Sequence, residues 1–241
     1  MGAIPTAFRV AMTIDGPGDA ALVRLMTWLS PAFPIGAFAF SHGLETAIVE
    51  GRLDSGAAVA DWIGLLVTEG SGWNDLVLFA AAHRAARAGD ETELLAIADL
   101  TRALAGSAER REETLSLGDA FRRSAAPWCA PEDGERGEDV READPYPVAV
   151  ARVAAFAGIA LRPALEAFAH GFSANLVSAA TRLVPLGQSA AMRALHDLEP
   201  LVLAAAARAA GATLDDLGSA AILSDIAAMR HETLGTRLFR S

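Results

Sequence analysis

Pro163-Ala-Leu-Glu-Ala-Phe-Ala-His-Gly-Phe-Ser-Ala-Asn-Leu-Val-Ser-Ala-Ala-Thr-Arg-Leu-Val184 is the stretch that decides the fold class. Leu165, Phe168, Phe172, Leu176 and Leu183 recur near a period of 3.6 and form one apolar stripe, the mark of a helix with one buried side. Pro163 suits a first turn, where no backbone N–H is needed. Alanine and leucine dominate on either side of this stretch, and β-branched residues never alternate at period two.

Working outward, the same punctuation recurs. A helix is expected after Asp19, carrying Leu22, Leu25, Met26 and Leu29 and ended by Ser30-Pro31, since the residue before proline avoids the α region. A loop with two prolines and a glycine follows (Pro31 to Phe40), then a short helix to Glu50, stopped by Gly51. Ser55 opens a helix to about Glu69. Asn74 reads as the cap of a helix to Ala88, and Asp90 with Glu93 has capping-box spacing. Further helices are expected at about 107–125, 146–158, 188–210 and 213–234, the last with Ile222, Ile226 and Met229 on its buried side. The expectation is an all-α fold, a single globular bundle of nine or ten helices over 19–241.

Two segments stand apart. Residues 1–18 lack helical period and are expected to be flexible. Residues 127–145 hold seven acids against two arginines, a net −5, half of the chain's formal −10. Such a tract reads as a disordered acidic loop.

Charge and composition exclude several functions. A net −10 argues against nucleic acid and against an anionic membrane surface. All 20 cationic residues are arginine, so the chain has no lysine for a P-loop or a Schiff base. The single cysteine, Cys129, cannot form an internal disulfide. No basic region leads into an apolar run near Met1, and the nearest approach to a membrane span, Leu201 to Ala210, holds Arg208. A cytoplasmic protein is expected.

Chemistry is sparse. His42, His83, His170, His196 and His231 never pair at i,i+3 or i,i+4, so no helix presents a metal-ligand pair. No nucleophile elbow occurs at Gly70-Ser-Gly72. Glu112 and Glu113 beside Arg110 and Arg111 read as a charged helix face making ion pairs; an enzyme using Glu112, Glu113 and His170 is the thin alternative. No catalytic residue, metal site or cofactor is expected. Two segments suit protein partners instead: the apolar Leu29 to Glu45, and the C-terminal Met229 to Ser241, which alternates arginine with Leu234, Leu238 and Phe239.

Those segments carry a family resemblance. Leu29-Ser-Pro-Ala-Phe-Pro-Ile-Gly-Ala-Phe-Ala-Phe-Ser-His-Gly-Leu-Glu45 resembles the N-terminal signature of the urease accessory protein UreF family. Arg111-Glu-Glu-Thr-Leu-Ser-Leu-Gly118, Ser178-Ala-Ala-Thr-Arg-Leu-Val-Pro-Leu-Gly-Gln188, Asp225-Ile-Ala-Ala-Met-Arg-His-Glu232 and Arg237-Leu-Phe-Arg-Ser241 resemble its later blocks, in order. The chain departs from the pattern at Ala37, Phe40 and Gly235, the last standing where the family carries an aromatic. The resemblance implies an all-α homodimer that is not an enzyme. It implies that the chain bridges the UreD (UreH) scaffold and the GTPase UreG, and modulates GTP-dependent nickel delivery to apo-urease. Partner contacts are expected from Phe33, Pro34, Gly36, Phe38, Phe40 and Glu45, and from Arg230, His231, Glu232, Arg237, Leu238, Phe239 and Arg240. A flexible tail would place a guanidinium poorly, so a conformational gate is preferred over an arginine finger.

Overall fold

Small polar residues start several of the helices. Ser55, Asp90 and Ser107 each accept a hydrogen bond from the backbone N–H three residues on, at Ala58, Glu93 and Arg110. In a computed structural model, which describes residues 20–129, 144–184 and 186–240, these caps open three of eleven α-helices. The helices are α1 (Ala21–Trp28), α2 (Leu44–Val49), α3 (Gly56–Glu69), α4 (Ser71–Ala88), α5 (Glu91–Ala103), α6 (Ala108–Ser124), α7 (Ala126–Cys129), α8 (Tyr146–Phe156), α9 (Leu161–Leu183), α10 (Gln188–Gly211) and α11 (Ile222–His231). Two 3-10 turns lie at Ala37–Ala39 and Leu214–Asp216, and no strand occurs among the described residues. The fold is all-α, with one helix more than expected because the four-residue α7 forms at the start of the acidic tract. Residues 1–18, and the acidic tract apart from 127–129 and 144–145, lie outside the described residues.

The core is built on α4 and α8. Leu76 to Phe79 and Val148 to Val150 are buried on every side of their helices, as expected of elements with neighbours all round. Helix α8 packs on α4 and α6, while α10 packs on α9 and α3. Alanine and glycine set the close approaches. A Cβ at Gly118 would sit 1.9 Å from the Asp144 carbonyl oxygen, so α6 meets the backbone entering α8 directly. The stripe on α9 is largely confirmed: Leu165, Phe168 and Leu176 are buried, and Phe172 and Leu183 pack on the core from its edge.

Three local expectations are corrected. Asn74 does not cap α4, which begins at Ser71; its Oδ1 accepts from the Gly218 N–H at 2.9 Å. Residues 213–234 are not one helix. The Trp73 indole donates to the Asp216 carbonyl at 2.9 Å and Ala220 N–H donates to the Glu69 carbonyl at 2.7 Å, pinning 214–221 across the α3–α4 junction. Helix α11 also turns the other way. Ile222, Ile226 and Met229 are exposed, and Ser224, Ala227 and His231 are buried. The reason is steric: Gly43 lies so close to α11 that a Cβ there would be 2.7 Å from the Ala228 nitrogen, so only the small side of the helix fits.

Candidate partner-binding site

The loop from Leu29 to Glu45 folds tightly because three of its residues take the left-handed backbone region. They are Gly36 (φ 79°), His42 (φ 51°) and Gly43 (φ 76°), and His42 is the only non-glycine among the described residues to do so. The fold separates the phenylalanines. Phe33 is buried against Phe121, ring centroids 5.5 Å apart, and Phe40 is buried too. Phe38 is 61% exposed, and Pro34 is exposed. Gly36 sits in open space, so its role is its backbone conformation.

The C-terminal segment docks on this loop. Glu45, in the first turn of α2, is buried, and its carboxylate faces the tail. Oε1 accepts from the Leu238 N–H at 2.7 Å, and Oε2 from the Phe239 N–H at 3.0 Å. His231, fully buried, is held between two carboxylates, with Nε2 2.9 Å from Glu45 Oε2 and Nδ1 2.7 Å from Glu109 Oε2. Arg237 also pairs with Glu109. The Arg240 N–H donates to the Ala39 carbonyl at 2.7 Å. Arg182 of α9 completes the joint: its guanidinium lies 4.5 Å from the Phe239 ring centroid, and Nη2 donates to the Phe38 carbonyl at 2.8 Å.

The two segments expected to meet partners are thus brought together, but their residues divide. Phe33, Phe40, Glu45, His231 and Phe239 face inward. Phe38 and Leu238, the latter 71% exposed, face outward with Arg240. Arg230 is exposed and pairs with Glu50 at 3.0 Å; Glu232 accepts from the Ala108 N–H at 2.9 Å. Residues 237–240 are tied down by Glu109, Glu45, the Ala39 carbonyl and Arg182, so the premise of a flexible tail does not hold for them.

Beneath the loop lies a second polar cluster that composition did not reveal. His42 Nε2 contacts Glu113 at 2.9 Å, Arg110 Nη1 contacts Glu113 at 3.1 Å, and Arg110 Nη2 contacts Asp75 at 2.5 Å. The charged face expected on α6 does make an i,i+3 ion pair, Arg110 with Glu113, but within a buried network: Glu113 is 2% exposed. Burial works to raise the Glu113 carboxyl, but His42 and Arg110 outweigh it and hold Glu113 at about 2. Burial pushes the Asp75 carboxyl up, because one guanidinium serves two carboxylates and Glu113 has the stronger partners. Nothing in this cluster is exposed enough to offer itself as a docking surface. Glu112 and His170 are exposed.

Sequence reasoning missed Glu109, Arg182, Asp75 and His42, since long-range pairing leaves no mark in local spacing. Among the described residues, no group of three or more His, Cys, Asp and Glu side chains is placed to hold a metal ion, and no helix is long and apolar enough to cross a membrane.

Comparison with known proteins identifies the family. The UreF family model matches residues 53–199. The urease accessory protein UreF of Mesorhizobium japonicum is 50% identical over 228 residues, covering 94% of this chain and 99% of that protein. The protein of the same name from Agrobacterium fabrum is 50% identical over 224 residues, covering 93% and 98%. That of Rhodopseudomonas palustris is 46% identical over 232 residues, covering 96% and 97%. Identity at this level along nearly the whole of each chain establishes that this protein belongs to the UreF family.

Proposed function

We propose that this chain is a urease accessory protein that acts by holding other proteins and performs no chemistry of its own. It bridges the UreD (UreH) scaffold and the GTPase UreG and modulates GTP-dependent nickel delivery to apo-urease, as a homodimer in the cytoplasm. The observation that carries the reading is the joint between the signature loop and the tail. There Phe38 and Leu238 stand exposed beside Arg240, in the composition of an interface hot spot, on backbone tied to buried groups. Phe38→Asp with Leu238→Asp changes only exposed side chains. It is expected to abolish co-purification with UreD while leaving the helical circular dichroism intact; unchanged co-purification would sink the assignment.

A finger role for a tail arginine is a second reading, favoured by the tethered backbone at Arg240. Arg237 is engaged with Glu109, whereas Arg240 makes no ion pair among the described residues. GTP turnover by UreG, measured with the wild-type chain and with Arg240→Ala, separates finger from gate: a finger is worth about 10³-fold or more.

A further inference from the structure

Between α1, the signature loop and α9 lies a cavity of about 510 Å³, a volume typical of small-molecule sites. Leu22 and Met26 stand exposed at its rim, while the buried Asp75 and Glu113, with Arg110 and Tyr146, line its inner end. Aromatic rings line the same cavity. Tyr146 and Phe168 lie 5.4 Å apart between centroids, and Phe172 meets the His42 ring edge-on at 4.8 Å. Charge at the inner end is unbalanced. Asp75 and Glu113 share one guanidinium, that of Arg110, whereas Glu166 at the rim already pairs with Arg162. The Tyr146 phenol is held above its usual range, first by burial and then by the negative charge of Asp75 and Glu113, as expected of a hydroxyl near both carboxylates.

We propose that this cavity binds a small organic cation, an ammonium group on an apolar or aromatic body, with its head toward Asp75 and Glu113 and its body against Tyr146, Phe168 and Phe172. The chemistry follows from the lining. Aromatic faces attract an ammonium and bury the carbon that carries it. The two carboxylates repel an anionic head, and a purely apolar molecule gains nothing from them. A bare metal ion has no body for the walls to cover, and among the described residues no group of three His, Cys, Asp and Glu side chains is placed to hold one. Binding here requires nothing of the contact with UreD or UreG.

Three probes with one body and different heads test this on the full-length chain: 4-phenylbutylamine, 4-phenylbutanol and 4-phenylbutyrate. Their Kd values are read by calorimetric titration at near-physiological salt, where loose attraction to an acidic protein is screened. The expected result is saturable binding of one amine per chain, about tenfold tighter than the alcohol, with the carboxylate weakest. Asp75→Asn keeps the shape and removes one charge. It is expected to cut the preference for the amine over the alcohol to about twofold or less, a single charge being the difference, and to leave the Kd of the alcohol unchanged. Ala167→Trp fills the cavity from a half-buried position on α9 and is expected to abolish binding of all three probes with helical circular dichroism intact. It locates the site even if Asp75→Asn does not fold. No saturable binding, equal Kd values for the three probes, or tightest binding of the carboxylate overturns the proposal. So does amine binding retained in Ala167→Trp, or a full amine preference retained in Asp75→Asn.

Discussion

Each carboxylate that matters in this protein is read by its partners, not by its neighbours in sequence. Glu112 and Glu113 are adjacent, yet one is solvated and the other sits at 2% exposure between His42 and Arg110. Because the folded Glu113 titrates at about 2 against an ordinary 4.5, it contributes stability that is complete above pH 4.5 and lost as pH falls through about 2. Asp75, pushed up by burial, acts in the opposite sense and offsets part of this. His83 adds a second, milder acid sensitivity. Burial lowers it while Nε2 donates to the Ile159 carbonyl at 2.9 Å, so its contribution stands above pH 6.5 and declines below. At pH 7, Glu113→Gln is expected to cost about 3 kcal/mol. Denaturant unfolding at a series of pH values should show that difference shrinking between pH 4.5 and 2; a constant difference would contradict the assignment.

At the scale of elements, the signature loop acts as a mortise for α11. Gly43 brings its backbone against Ser224, Ala227 and Ala228, and the Ser224 hydroxyl donates to the His42 carbonyl at 3.4 Å. The demand for small residues at that contact turns Ile222, Ile226 and Met229 to solvent, opposite to the side that hydrophobicity alone selects. The contact of α6 with the entry to α8 is equally tight. Gly118→Ala, whose methyl would collide with the backbone of Asp144 to Tyr146, is expected to lower stability by about 1–3 kcal/mol in thermal or urea unfolding. A neutral result would mean that the two segments separate more easily than their packing implies.

For the whole molecule, the surface left apolar bears on assembly. On α1, Leu22, Val23 and Met26 are each 65–68% exposed, and a groove of about 510 Å³ runs beside them between α1, the signature loop and α9. A self-associating chain would cover such a patch. Sedimentation analysis of the wild-type chain is expected to give a dimer, and Val23→Glu with Met26→Glu a monomer of unchanged helicity. A wild-type monomer would remove the homodimer from the proposed function.

The sequence by itself determined the helical class, most helix boundaries and the family. Those rest on local terms: periodicity, side chains that cap their own backbone at Ser55 and Asp90, proline and glycine stops, and ordered motifs along one chain. The tertiary structure alone decided which residues of the signature and tail face out. It turned Glu45 and His231 from expected contacts into the fastening beneath them, made Glu113 a buried partner of His42 and Arg110, and rotated α11 onto its small side. In each case the deciding partner lies far away in sequence, more than 60 residues for every one of these contacts except the Arg110–Glu113 pair within one turn of α6. Burial and long-range hydrogen bonding set those outcomes, and neither leaves a periodic trace in the chain.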